Sequence, residues 1–308
     1  MVGSLVLNRF LIERRIGSGG FGVVYEAWDG RLERPVAVKA IESRGAELGR
    51  RVLREAQAAA RLNHPGIVTL YEMGEEDGNA LLVTELVDGS TLAQLAGEGE
   101  LSDREIAEVG ADLCEALDHA HSRGVVHRDI KPQNVQVTEG AEGDQRAKLM
   151  DFGIAQLADG ASLTAPGDVV GTLAYMSPEQ AEGRPAGPEA DVYSLALTLY
   201  ECWSGENPHR RSSPAATARA IGARTRPLRR LRPDLPRELT DTVDACLHPR
   251  PTHRPPLEDL GTAIEDSLEH LAEHPRQAPR PLGMRLGVAA AAAVLGAWLA
   301  VGHGVVLP

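Results

Sequence analysis

The hydrophobic period of the chain changes once, near Gly89, and that change limits what it can fold into. From Phe10 to Leu86 apolar residues come in short alternating runs, such as Val23-Val24-Tyr25-Glu26-Ala27 and Val36-Ala37-Val38-Lys39-Ala40-Ile41, the pattern of a half-buried antiparallel sheet. One stretch rich in Ala, Arg, Glu and Leu, from about Ala46 to Leu62, interrupts them and reads as a helix stopped by Asn63-His64-Pro65-Gly66. Beyond Gly89 helical periods take over, including Asp103 to Ser122 and Asp191 to Ser204, broken by Gly- and Pro-containing loops. The expected fold class is α+β with two lobes: a small β-rich lobe carrying one major helix, then a larger, mainly helical lobe.

Composition narrows the partners. The 308 residues carry a formal net charge of -12, which argues against a nucleic-acid binder that neutralises phosphates over a broad surface. Cys114, Cys202 and Cys246 form neither a C-x-x-C pair nor a set with metal spacing, and read as small buried apolar residues. Of 32 basic residues only Lys39, Lys131 and Lys148 are lysine. Two of the three fall in the motifs below, where a compact ammonium on a flexible stem suits a phosphate better than a planar guanidinium fork. Residues 210 to 232 hold eight arginines and no acid. That run reads as a solvated surface loop and helix, with docking to an acidic partner or to lipid headgroups as the alternative.

Gly17-Ser18-Gly19-Gly20-Phe21-Gly22-Val23-Val24 contains G-x-G-x-x-G-x-V between two strand patterns. A dinucleotide-binding fold is disfavoured, because a strand from Val23 to Trp28 follows the glycines where that fold needs a helix. Phosphates need backbone N–H groups at close range, and missing Cβ atoms permit the approach. Alternation in Val36-Ala37-Val38-Lys39 places Ala37 and Lys39 on one face of a strand. A cation lining a pocket there calls for a carboxylate partner, which Glu55, in the helical stretch, can supply. The most specific set is His127-Arg128-Asp129-Ile130-Lys131-Pro132-Gln133-Asn134, with Asp151-Phe152-Gly153 beginning seventeen residues after Asn134. Acids, an amide and a lysine at these spacings match the signatures of phosphoryl-transfer enzymes that act on proteins.

On these motifs the chain resembles the eukaryotic-like protein kinase family from about Phe10 to Leu271, and is most similar to bacterial membrane-associated Ser/Thr kinases. The resemblance implies a kinase domain over residues 10–271, with an N-lobe over 10–86 and a C-lobe over 88–271. It implies transfer of the γ-phosphate of ATP, with Mg²⁺ or Mn²⁺, to Ser or Thr hydroxyls of other proteins and of a second copy of the chain. Asp129 would accept the proton of the acceptor hydroxyl and Lys131 would stabilise the transferring phosphoryl group. Asn134 and Asp151 would hold the metal, as carboxylate and amide oxygens suit a hard cation. Gly17, Gly19, Gly22, Val24, Ala37 and Lys39 would enclose the nucleotide, with Glu55 as the partner of Lys39. The backbone of Glu85 and Val87 in Thr84-Glu85-Leu86-Val87 would bind adenine while Thr84 gates a rear pocket. Gly171 to Glu179 resembles the end of an activation segment, Asp191 the aspartate that braces the catalytic loop, and Arg254 the partner of Glu179. The Asp-Ile-Lys order favours Ser/Thr acceptors. One departure stands out: the residue under the adenine ring, usually leucine, is Gln136. A catalytically impaired scaffold of the same fold and a small-molecule phosphotransferase are the competing readings.

The resemblance also implies that Arg128 binds a phosphate on the activation segment, with Ser162 and Thr164 as the expected phosphorylation sites. Thr172 is expected to bond to Asp129 and Lys131 instead. Residues 272–285 read as a Pro- and Arg-containing linker. Residues 286–307 hold no Asp, Glu, Lys or Arg, long enough at 1.5 Å per residue to cross the hydrocarbon layer. Arg276, Arg280 and Arg285 on its N-terminal side would keep the kinase portion cytoplasmic. An Ala-rich docking helix or a tail off the membrane, with the whole chain cytoplasmic, is the alternative.

Overall fold

The computed structural model describes residues 1–19, 22–42, 52–53, 56–139, 145–152 and 173–275. Glu55, Gly153, Ser162, Thr164, Thr172 and the segment 286–307 lie outside the described residues. Among the described residues no helix is long and apolar enough to cross a membrane.

The first lobe is a six-stranded antiparallel sheet of β1 (Leu5–Val6), β2 (Phe10–Gly19), β3 (Gly22–Asp29), β4 (Arg34–Glu42), β5 (Leu70–Glu76) and β6 (Asn79–Glu85), in the order β1-β2-β3-β4-β6-β5. Its central strand β4 is apolar on both faces, and alternation divides those faces between two cores. Val36, Val38 and Ala40 join Phe10, Ile12, Leu81 and Val83 on one side. On the other, Ile41 packs with Ala80, Leu82, Val52 and Ala56. Residues 52–53 and 56–59, within the expected helical stretch, are helical. Ala37 and Lys39 share the parity of Ile41, so they sit on the face that the helical residues and the cleft cover.

The second lobe begins with β7 (Ser90–Thr91) and α1 (Leu92–Glu98), followed by α2 (Asp103–His121). Ser102 caps α2: its hydroxyl accepts the Glu105 N–H at 3.1 Å while the Glu105 carboxylate accepts the Ser102 N–H at 2.7 Å, which removes two orphan donors at once. A short sheet of β7, β8 (Val135–Glu139) and β9 (Gln145–Leu149) lies beside α1 and α2. Beyond it come α3 (Pro178–Ala181), α4 (Pro188–Ser204), α5 (Pro214–Ala220), α6 (Leu228–Leu231), α7 (Arg237–Cys246) and α8 (Leu257–Glu265). Helix α4 is buried on nearly all sides from Ala190 to Tyr200, which makes it the axis of the lobe. It ends at Gly205, whose φ of 76° suits a residue without Cβ. Cys114 and Cys246 are buried in this core and Cys202 packs against it, and all three are free thiols.

The arginine run at 210–232 is the expected solvated surface in its middle and departs from it at its two ends. Arg232 is buried, and its guanidinium pairs with Asp103 at 2.6 Å and Asp234 at 2.9 Å. Arg210 reaches Glu201 at 2.7 Å and the Tyr175 hydroxyl at 2.8 Å. Both ends of the run are therefore internal ties.

Candidate active site

Between the lobes lies a cleft of about 1340 Å³. Strands β2 and β3 form its roof, meeting where Gly19 pairs with Gly22. At Gly22 the backbone has a φ of 129°, and a Cβ there would stand 2.2 Å from the Ala40 carbonyl oxygen; only glycine lets β3 turn so close to β4. Gly17, Gly22, Val24, Ala37 and Lys39 line the cleft from above, Thr84, Glu85 and Val87 from behind, and Gln136 from below.

Lys39 reaches across the cleft. Its Nζ donates to Asp151 Oδ2 at 2.7 Å, so a carboxylate partner of Lys39 comes from the other lobe. Burial alone would raise the Asp151 carboxyl, but the charge and hydrogen bond of Lys39, then His127 and Lys131, hold it below the usual carboxylate range. Asp151 is thus an anion at neutral pH, with one oxygen engaged by Lys39.

The floor is built on the loop from His127 to Asn134. Lys131 Nζ donates to both oxygens of Asp129 at 3.0 and 2.8 Å. Asn134 Nδ2 donates to Asp129 Oδ2 at 2.8 Å and to the Asp129 carbonyl at 2.8 Å, which leaves the Asn134 amide oxygen as the atom available to a ligand. Met150 N–H donates to the Asn134 carbonyl at 2.9 Å, so the strand leading to Asp151 is tied to the residue that carries the second oxygen donor. A carboxylate and an amide oxygen on adjoining segments, facing a cleft edged by an ammonium, fit a hard cation shared with phosphate oxygens. Among the described residues no group of three His, Cys, Asp or Glu is assembled, and a hard cation that takes the rest of its ligands from phosphate needs none.

Two residues of the floor, Arg128 and Asp151, hold left-handed backbone with φ of 67° and 63°. Non-glycine residues there cost about 1–3 kcal/mol each unless their surroundings hold them. The holder for the first is Asp191 at the start of α4. Its buried carboxylate accepts the His127 N–H at 2.8 Å, the Arg128 N–H at 2.7 Å and His121 Nε2 at 2.8 Å. His127 Nδ1 accepts the Asp129 N–H at 3.2 Å, which leaves Nε2 to donate to the Met150 carbonyl at 2.7 Å. The same ring meets Phe152 edge-on at 4.6 Å. One imidazole therefore links the segment of Asp129 to the segment of Asp151.

The end of the activation segment is tied to this floor. Gln180 Nε2 donates to the Arg128 carbonyl at 2.8 Å. Glu179 and Arg254 form a fully buried bidentate pair at 2.7 and 2.8 Å; burial would raise Glu179, and Arg254 holds it below the usual range. The bracing expected of Asp191 and the pairing expected of Arg254 are both present.

Four contacts were not anticipated. Lys148 Nζ pairs with the Glu85 carboxylate at 2.6 Å, fixing the connection between lobes to β9; the scarcity of lysine was the one signal for it. His121 on Asp191 and Gln180 on Arg128 have no local signal in the sequence. Thr84 donates from its hydroxyl to the Glu85 carbonyl at 3.2 Å, a contact on the oxygen expected to meet adenine.

Comparison with known proteins agrees with this geometry. The family model described as "Protein kinase domain" matches residues 10–266. The serine/threonine-protein kinase PknA of Mycobacterium tuberculosis is 39% identical over 262 residues, covering 82% of this chain and 59% of PknA. PknB of Mycolicibacterium smegmatis is 43% identical over 224 residues, covering 68% of this chain and 35% of PknB. The chain thus spans about a third to three-fifths of the length of these relatives. The crystal structure of the Mycobacterium tuberculosis PknI kinase domain, in a cysteine-to-alanine mutant form, superposes with a TM-score of 0.68 at 28% identity, over 87% of this chain and 98% of that one.

Proposed function

The chain belongs to the protein kinase family, and from that premise we propose that it is a serine/threonine protein kinase that transfers the γ-phosphate of Mg-ATP to Ser or Thr hydroxyls of proteins, itself included. The observation that carries this reading is the convergence in one cleft of the Lys39–Asp151 pair at 2.7 Å with the Asp129–Lys131–Asn134 cluster.

Phosphoryl transfer asks a protein for position and charge neutralisation rather than covalent chemistry. Lys39 binds the α- and β-phosphates from above, and the backbone of Glu85 and Val87 holds the base. Asp151 and the Asn134 amide oxygen would hold Mg²⁺, which would supply neutralisation of the phosphate charge. Asp129 orients the acceptor hydroxyl and receives its proton, and Lys131, already on both Asp129 oxygens, bridges that carboxylate to the transferring group. Gln136 lies beneath the base. Phosphorylation at Ser162 or Thr164, answered by Arg128, is the proposed switch, with Thr172 bonding to Asp129 and Lys131. Residues 286–307 are proposed as a membrane helix after the kinase portion, on the strength of their apolar length and flanking arginines.

The test is transfer of radiolabel from ATP to the chain itself and to dephosphorylated casein. Labelling by the wild type, and its loss in Asp129→Asn, is expected; a wild type that labels neither protein overturns the reading. For the tail, recovery of the full chain in the soluble fraction without detergent overturns the membrane proposal.

A further inference from the structure

The run from Arg210 to Arg232 divides into structural ends and an exposed middle. Arg210 and Arg232 are neutralised by Glu201 and Asp103. Between them Arg211, Arg219, Arg224, Arg226, Arg229 and Arg230 are all exposed, and among the described residues none of the six has an ion-pair partner. Asp244, on the neighbouring α7, accepts the Leu228 N–H at 2.9 Å rather than an arginine. Six like charges that repel one another are costly to gather unless something of opposite sign visits them. They are gathered on a chain whose net charge is -12.

Their position says what visits. Arg210, next to Arg211, is bound to Tyr175 at 2.8 Å. A Cβ added at Gly222, two residues before Arg224, would meet Pro178 at 3.3 Å. The basic stretch is therefore seated at two points on residues 175–178, the end of the segment that leads through Gln180 to the catalytic loop. Arg211 is folded back onto α5 by the bond from its N–H to the Thr217 hydroxyl at 3.1 Å, and the Tyr200 hydroxyl fixes the Arg226 carbonyl at 2.8 Å. The backbone that presents these side chains is anchored while the guanidinium groups are exposed, that of Arg211 also donating to the Arg210 carbonyl at 2.8 Å.

We propose that this surface docks an acidic segment of the protein being phosphorylated, so that substrates are selected by carboxylates lying outside the acceptor position. The inference rests on the kinase reading given above and adds the substrate class to it. Single exposed ion pairs contribute little. A cluster of one sign beside residues 175–178 raises the encounter rate and the residence of an acidic chain, and does so less as salt increases. Continuity with residues 175–178 favours a substrate over an anionic lipid surface.

The experiment uses two peptides with one threonine acceptor and a flanking run that is glutamate in one and glutamine in the other. For the wild-type full chain at low salt, kcat/KM should favour the glutamate peptide by about tenfold or more, carried by KM and shrinking as salt rises. The variant R219E/R224E/R226E should bring the ratio to one or below. R224Q/R226Q, with an unchanged unfolding midpoint, should bring it part of the way. A wild-type ratio near one, or a ratio unmoved in both variants, overturns the proposal. So does flotation of the wild type with phosphatidylserine vesicles that the variants abolish while the peptide ratio stays near one, an outcome that assigns the surface to lipid. Equal labelling of both peptides sinks this inference alone, whereas a wild type that labels neither peptide nor itself sinks the kinase reading and this one with it.

Discussion

The roof and the floor of the cleft hold their charges in opposite ways. On the roof, Lys39 stands on a strand and reaches Asp151 at 2.7 Å, where the Asp151 side chain is 33% exposed. On the floor, Asp129 is buried and held by Lys131 and Asn134, and the backbone before it is held by Asp191. In the proposed reaction the roof shares its cation with incoming phosphates and then releases them, and a partly exposed, exchangeable pair with Asp151 suits it. The floor has to present a carboxylate at fixed geometry to a neutral hydroxyl, and several mutually supporting bonds set that geometry before substrate arrives.

Removing the centre of the floor should have the largest effect. Asp129→Asn keeps the shape and loses the proton acceptor, so kcat should fall by roughly 10²–10⁴-fold while nucleotide affinity, set by the roof and hinge, stays near wild type. A wild-type kcat, or a loss that appears wholly in the KM for ATP, would break the contrast.

Asp191→Ala tests whether the floor is rigid because of its brace. It leaves the His127 and Arg128 N–H groups without their acceptor, at about 1–3 kcal/mol for each buried donor, and frees a strained backbone. Stability in urea should fall by about 2–5 kcal/mol, and kcat should fall more than the KM for ATP rises. Equal stability with an unchanged kcat would show that the loop holds its own shape.

What the sequence made legible follows the same division. The floor is local: Asp129, Lys131 and Asn134 lie within six residues and their spacing already implies one cluster. The alternation of β4 put Ala37 and Lys39 on one face, and the helical period from Asp103 placed α2. The roof was legible in its strand. Glu55, expected to answer Lys39, lies outside the described residues, and the Lys39 contact with Asp151, 112 residues away, was not legible. Lys148 with Glu85 spans 63 residues and Arg232 with Asp103 spans 129. Such pairings are decided by how lobes and helices stack, and nothing within a few residues of either partner records them. For the same reason the arginine run looked uniform in sequence, although its ends and its middle have different environments.

Lys148→Met sharpens the contrast from the hinge side. The Glu85 backbone N–H is bound to the Thr69 carbonyl at 3.0 Å and its side chain to Lys148 at 2.6 Å, so the lysine positions a residue whose carbonyl is proposed to meet adenine. The pair is partly exposed, and its loss is worth about 0.5–1 kcal/mol. The KM for ATP should rise a few-fold with kcat unchanged. Lys148→Arg should restore part of the affinity. A purely structural role would lower the unfolding midpoint and leave the KM alone, and that result would remove Lys148 from the nucleotide site.

Gln136 gives the smallest effect and the finest test, because it stands where roof and floor share one ligand. It faces the cleft from β8, opposite Lys148 and Thr91 in the strand register. Among the described residues its amide has no side-chain hydrogen bond, and the side chain is half-buried and open to solvent from the cleft. A purine ring settling over it would exclude solvent and supply only an aromatic face. A polar group left unsatisfied in this way costs about 1–3 kcal/mol when fully buried, and partial exposure leaves the lower end of that range. Gln136→Leu is close in size, removes the amide, and adds apolar area under the base. It should lower the dissociation constant for ATP by about two- to tenfold. Because Gln136 touches neither Asp129 nor Lys131, kcat should stay as it is. Titration calorimetry with a non-hydrolysable ATP analogue measures the first quantity and steady-state kinetics the second. Weaker binding in the leucine variant would mean that the amide finds a partner on the base itself, and the floor of the adenine site would then be a specific contact rather than a tolerated departure.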